Sequence, residues 1–261
     1  MAAQLAYTVH PGQGPYLLLL HGFLSSARQW LLNLDALSEV CRPVTVDLWG
    51  HGDSPTPEDP ALYAPLAYIE RLEQIRTVLN TDTWIVCGYS LGAGITIRYA
   101  HVHPERVGAH IFTNSQSGLA SAALIAEWSA GADEAAAKIL AHGRQAIRRI
   151  PVHPRFAKRV PEPVRGALLE DAEKLSPLGI AHCMRYTNPS VSARNIAPAN
   201  PRPALLCFGT HEKRFHDSKT WAETHMARLT VAELDAGHAV NMEDAPGFNT
   251  AVSEFIHAHA A

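Results

Sequence analysis

The chain has 261 residues, 47% hydrophobic content and a formal charge of -3, with 22 basic and 25 acidic residues mixed along its length. That supplies apolar material for one large core and no charge field to gather nucleic acid or anionic lipid, so a small-molecule substrate is the expected partner. Cys41, Cys87, Cys183 and Cys207 lack zinc-type spacing, and the longest early apolar run, Tyr16 to Leu20, is too short for a signal segment or membrane span. A soluble, cytoplasmic protein with reduced thiols and no metal is expected, of an oligomeric state that composition does not reveal.

From Tyr16 onward short apolar runs alternate with helix-period segments, the pattern of βα units around a mostly parallel sheet flanked by helices. The strand Tyr16–Leu20 ends in His21-Gly22-Phe23, where glycine lets the backbone turn and aim the Phe23 N–H at the sheet edge. A helix near Ala27–Leu37 leads to the strand Pro43–Asp47 and to Trp49-Gly50-His51-Gly52-Asp53-Ser54, a turn suited to bracing the His21 loop. After a helix at Ala67–Leu79 comes the strand Thr83–Cys87, then Gly88-Tyr89-Ser90-Leu91-Gly92, then a helix over Leu91–His103 and the strand Val107–Thr113. From Ser115 to about Pro201 no buried-strand run occurs, and alanine-rich segments are punctuated by Pro151, Pro154, Pro161, Pro163, Pro177 and Pro189. This reads as a helical cap, residues 115–201, inserted between two strands of one core domain, residues 1–114 and 202–261. The strands Ala204–Phe208 and Thr230–Leu234, with helices at His216–Arg228 and Pro246–His259, complete that core.

A serine between two glycines, at a turn from strand to helix, is exposed above the sheet with the next N–H aimed at the same point. Ser90 is therefore the candidate nucleophile, and the N–H groups of Leu91 and Phe23 form a candidate oxyanion hole. A serine hydroxyl needs a base and an orienting acid, and both follow in chain order on loops that leave strands. The base is His238, in Gly237-His238, and the acid is Glu212, in Gly209-Thr210-His211-Glu212, with Asp217 and Asp235 close enough to compete for that role. His21 and Tyr89 are candidates for the substrate pocket; Trp128, Phe156, Met184 and Tyr186 either line it or pack the cap on the core. Arg144, Arg148, Arg149, Arg155, Lys158, Arg159 and Arg165 form a basic cluster, either a solvated helix face or a site for a carboxylate or an acidic partner.

With HGF at His21, DLWGHGDS from Asp47, GYSLG from Gly88, GTHEKRF from Gly209 and GHAVNMED from Gly237, the chain resembles the α/β-hydrolase superfamily over nearly its whole length outside the cap. Within it the chain is most similar to the menaquinone-pathway 2-succinyl-6-hydroxy-2,4-cyclohexadiene-1-carboxylate synthases and to related small esterases. The resemblance implies an α/β-hydrolase fold, a Ser-acid-His triad and no cofactor. It also marks two departures: the family usually has aspartate where Glu212 stands, and the synthases' carboxylate-binding arginines have no counterpart at Ala93-Gly94-Ile95 or between Ser117 and Lys138. Hydrolysis of an ester, lactone or thioester is the leading expectation. A lyase that uses the same triad to abstract a proton is the alternative, with a C–C bond hydrolase as a variant, although those enzymes resemble one another in an asparagine where this chain has Tyr89. A non-catalytic scaffold would not need an intact triad, and the aspartate-dependent dehalogenases and epoxide hydrolases are excluded by Ser90.

Overall fold

Leu17 and Leu19 turn to one face of their strand and Leu18 and Leu20 to the other, and all four are fully buried, so this strand runs inside a sheet covered on both sides. The computed structural model describes residues 3–259. Seven strands, β1 (Tyr7–Val9), β2 (Tyr16–Leu20), β3 (Arg42–Val46), β4 (Trp84–Gly88), β5 (Val107–Thr113), β6 (Ala204–Gly209) and β7 (Leu229–Leu234), lie in the order β1-β3-β2-β4-β5-β6-β7. Every neighbouring pair is parallel except β1 with β3.

The helices are α1 (Leu34–Ser38), α2 (Pro65–Val78), α3 (Leu91–Val102), α4 (Ala122–His142), α5 (Arg144–Ile147), α6 (Glu162–Ala172), α7 (Pro177–His182), α8 (His216–His225), α9 (Val240–Glu243) and α10 (Ala245–His259). One face of the sheet packs on Trp30, Leu37 and the apolar stripe Phe248, Val252, Phe255 and Ile256 of α10. The other packs on Tyr68, Ile69 and Leu72 of α2 and on Ile95 and Tyr99 of α3, with Ala222 and Met226 covering β6. All four cysteines are free and buried, and no described helix is long and apolar enough to cross a membrane.

The expected mostly parallel sheet is present, with two differences in detail. The stretch Ala27–Leu37 is not one helix: a 3-10 turn at Ala27–Trp30 is followed by α1. Asn33 breaks it, because its N–H bonds back to the Trp30 carbonyl while its amide is held by the Asn241 carbonyl and the Asn249 side chain. Strand β1 has no apolar alternation to announce it; its three residues are half-buried or exposed and are fixed by pairing Tyr7, Thr8 and Val9 with Val46, Thr45 and Val44.

Between β5 and β6 the described residues form helices and turns only. These pack onto the core at several points. Val160, Val164 and Leu168 join the α10-side core, and Ser26 Oγ donates to the buried Asp171 carboxylate at 2.7 Å. The Ser176 N–H bonds the Gly50 carbonyl at 3.1 Å, and a Cβ on Gly50, whose φ is +71°, would lie 2.8 Å from the Gly179 Cα.

Phe248 is fully buried with its ring centroid 6.1 Å from that of Trp30. Phe248→Ala is expected to remove about 3–5 kcal/mol of stability. Urea unfolding followed by tryptophan fluorescence checks this, and a loss under about 1 kcal/mol would mean that the α10 face is not packed as described.

Candidate active site

The turn that ends β4 has no room for side chains at its flanks. A Cβ on Gly92 would sit 2.5 Å from the Leu20 carbonyl oxygen and 2.6 Å from that of His21, and one on Gly88 would collide with Thr96 and the Gly92 carbonyl. Between them Ser90 takes φ 52° and ψ -114°, a conformation disfavoured for any residue with a Cβ. The surroundings impose it: the Tyr89 N–H bonds the Leu20 carbonyl at 2.9 Å, and the Ser90 carbonyl accepts from Ser115 Oγ at 2.6 Å. The serine oxygen is thereby held above the strand ends at the start of α3.

His238, on the loop after β7, places Nε2 3.0 Å from Ser90 Oγ. Its Nδ1 faces Glu212, which follows β6, with Oε2 at 3.6 Å, an ion-pair distance longer than a hydrogen bond. The ring leans on Tyr89, centroid to centroid 5.4 Å, while its edge opens onto a cavity. Burial pushes the imidazole pKa below its ordinary 6.5, and the Glu212 and Glu243 carboxylates push the other way. The two competing carboxylates lie elsewhere. Asp235 pairs with His211 at 2.6 Å, and Asp217 is in the first turn of α8.

The loop after β2 is shaped by neutral histidines. His21 is fully buried and its Nε2 accepts the Leu48 N–H at 2.9 Å; His51 accepts the Leu24 N–H at 3.2 Å. Burial lowers these pKa values to about 4 and about 3, which keeps each Nε2 lone pair free to accept. The turn runs through Leu24 at φ 57°, and neither the Phe23 nor the Leu91 N–H meets an acceptor among the described residues. Both residues border the cavity next to Ser90. The WGHGDS turn, read as a brace, does brace this loop through His51.

The cavity, about 810 Å³, has Ser90 and His238 in its wall. Of the candidates for a pocket, Tyr89, Trp128, Phe156 and Met184 line it. His21 and Tyr186 do not. His21 lies behind the loop, spent on backbone groups of Leu48 and Gly22, and Tyr186 packs against the α2–α3 core beside His182. The basic cluster divides: Arg148 pairs with Glu173 and Arg165 with Glu162, whereas Lys158 and Arg159 border the cavity together with Arg214. Glu243, which lies in GHAVNMED but has no role in the sequence reading, also borders it and holds the His238 loop. Its only trace in sequence is a carboxylate five residues after the histidine.

Compared with known proteins, residues 17–251 match the sequence model of the Alpha/beta hydrolase family. A candidate 2-succinyl-6-hydroxy-2,4-cyclohexadiene-1-carboxylate synthase of Bacillus subtilis (strain 168) is 25% identical over 256 residues, covering 94% of this chain and 92% of that protein. The carboxylesterase YbfK of the same organism is 24% identical over 257 residues, covering 94% and 81%. The structure of MenH from S. aureus superposes with a TM-score of 0.83 at 17% identity, covering 99% of each chain, a likeness of fold.

Because glycine adopts the Ser90 conformation at lower cost than alanine, Ser90→Gly is expected to be more stable than Ser90→Ala by about 1 kcal/mol. Denaturant midpoints of the two purified variants decide it. Equal stabilities, or a more stable alanine variant, would show that the turn is relaxed in solution.

Proposed function

The chain belongs to the alpha/beta hydrolase family, and on that premise we propose that it is a serine hydrolase that cleaves a carboxylic ester, lactone or thioester of a small molecule. The observation that carries the reading is the 3.0 Å approach of His238 Nε2 to Ser90 Oγ at the wall of a largely apolar cavity. Ser90 Oγ attacks the substrate carbonyl carbon as His238 takes its proton. Glu212 steadies the imidazolium, and the Phe23 and Leu91 N–H groups receive the oxyanion. Collapse breaks the bond to the leaving group, which takes the proton from His238 and departs, leaving an acyl-Ser90 ester. Water, deprotonated by His238, then releases the acid. The helices between β5 and β6 act as a cap that supplies Trp128, Phe156 and Met184 as apolar wall, and a cavity of about 810 Å³ suits a medium-sized or aromatic acyl group. The reading places it in the cytoplasm, acting on a small-molecule substrate.

A second reading, a lyase in which the same triad abstracts a proton without forming an acyl-enzyme, is favoured by one observation. Lys158, Arg159 and Arg214 border the cavity, where they could meet a substrate carboxylate that positions without arginine in the sequence could not.

Ser90→Ala and His238→Ala are expected to lower kcat by about 10⁴-fold with p-nitrophenyl esters of graded chain length. Glu212→Gln is expected to cost roughly 10³-fold with little change in KM, and Asp217→Asn and Asp235→Asn almost nothing. His238 acts as a neutral base, so activity falls as pH drops through its pKa, and the acid limb of kcat/KM is expected below 6.5. Rapid-mix mass spectrometry should find acylated Ser90. If every acyl group reacts at the uncatalysed rate and no acyl-enzyme forms, the hydrolase reading falls to the lyase.

A further inference from the structure

The loop that carries His238 is gripped by a carboxylate that no step above uses. Glu243 ends α9, and its side chain is only 9% exposed. Oε2 accepts the Gly237 N–H at 2.8 Å and Oε1 accepts the Ala239 N–H at 3.4 Å, so one carboxylate holds the peptide groups on both sides of the histidine. The Glu243 N–H in turn bonds the Ala239 carbonyl at 2.7 Å, closing a ring of contacts around the loop. The fit is close, since a Cβ on Gly237 would lie 3.3 Å from both carboxylate oxygens. Two amide donors solvate this largely buried charge but do not neutralise it. Among the described residues one cation reaches it, and it comes from the segment between β5 and β6. Arg159, in the segment just before α6, places Nε 2.8 Å from Glu243 Oε2, and its side chain is 54% exposed along the cavity wall.

We propose that Glu243 is a positioning residue for His238 and that Arg159 locks it in place, so that seating the helical segment over the cavity and aligning the base are one coupled event. The inference rests on His238 being the base. Withdrawing the 154–160 segment removes Arg159 from Glu243, leaving a carboxylate beside the imidazole with no cation to offset it and itself held by one fewer contact. Among the described residues the charged and titratable groups facing His238 are Glu212 from the loop after β6, Glu243 from α9 and Tyr89 from the turn after β4; Arg159 stands behind Glu243. The two partners therefore act on the base with opposite sign. The Glu243 charge favours the imidazolium, and Arg159 offsets that charge.

The test measures the rate at which a fluorophosphonate labels Ser90, as a function of pH, in the full-length wild type and in Glu243→Gln, Arg159→Gln and the double variant. Arg148→Gln, which breaks an exposed ion pair with Glu173 within the helical segment, is the control. Labelling consumes the Ser90 hydroxyl proton through His238 and does not require the natural substrate. Glu243→Gln is expected to slow labelling about tenfold or more and to move the acid limb down by roughly half a unit or more. Arg159→Gln is expected to slow it a few-fold and move the acid limb up, with the double variant slower by less than the product of the two. A part that merely supports the fold would not shift the limb in opposite directions. The proposal is overturned if Glu243→Gln stays within about twofold of wild type with its limb in place, or if Arg159→Gln leaves the limb unmoved or moves it down. Should Glu243→Gln fail to fold, Arg159→Gln decides alone, because its side chain is half exposed. If the wild type is not labelled, or His238→Ala is labelled as fast, it is the hydrolase reading that fails.

Discussion

The close crossing of α3 over the end of β2 is the constraint from which the rest of the site follows. It is possible only because Gly88 and Gly92 carry no side chain, since a Cβ at Gly92 would meet the Leu20 and His21 carbonyl oxygens within 2.6 Å. With α3 fixed there, Ser90 has no choice but its positive φ, and a local cost of about 1–3 kcal/mol is borne by the packing of the whole central sheet. The same geometry puts Ser90 and Leu91 together at the cavity, beyond the end of β4.

The parallel sheet does the gathering. Phe23, Ser90, Glu212 and His238 each lie within a few residues of the C-terminal end of a strand, β2, β4, β6 and β7 respectively, so parallel pairing delivers them to one edge however far apart they are in sequence. What the strands cannot fix is the shape of the loops, and here the buried imidazoles act. An imidazolium would offer a proton where the Leu48 and Leu24 N–H groups need a lone pair. Burial, by keeping His21 and His51 neutral, is what makes them usable as braces.

The helical segment is fastened to these same loops. Asp171 accepts from Ser26 just beyond the Phe23 turn, Ser176 bonds Gly50 in the turn that holds His51, and Arg159 pairs with Glu243 under the His238 loop. The cavity wall and the loops that carry Phe23 and His238 therefore share their supports, and a displacement of one is felt by the other.

The sequence by itself determined the parallel strands, the turn at Ser90 and the order of Ser90, Glu212 and His238 along the chain. Strand β2 reads as continuous leucine because both of its faces are buried, and Gly88-Tyr89-Ser90-Leu91-Gly92 can follow a strand and open a helix in one compact way. Signals of that kind are local, carried by residues that are neighbours in the chain. Everything that depends on groups distant in the chain was decided by tertiary structure. Strand β1 exists only through its pairing with β3, and Asn33 stops a helix only because Asn241 and Asn249 are across from it. Among three carboxylates within reach in sequence, it is the loop after β6 that turns Glu212 to His238 and leaves Asp235 to His211. His21, two residues before Phe23 in sequence, faces away from the cavity, while Lys158 and Arg159, two charges of one basic run, stand at its wall. A side chain's neighbours in space are set by the packing of layers, and no periodicity in the chain records which layer it will meet.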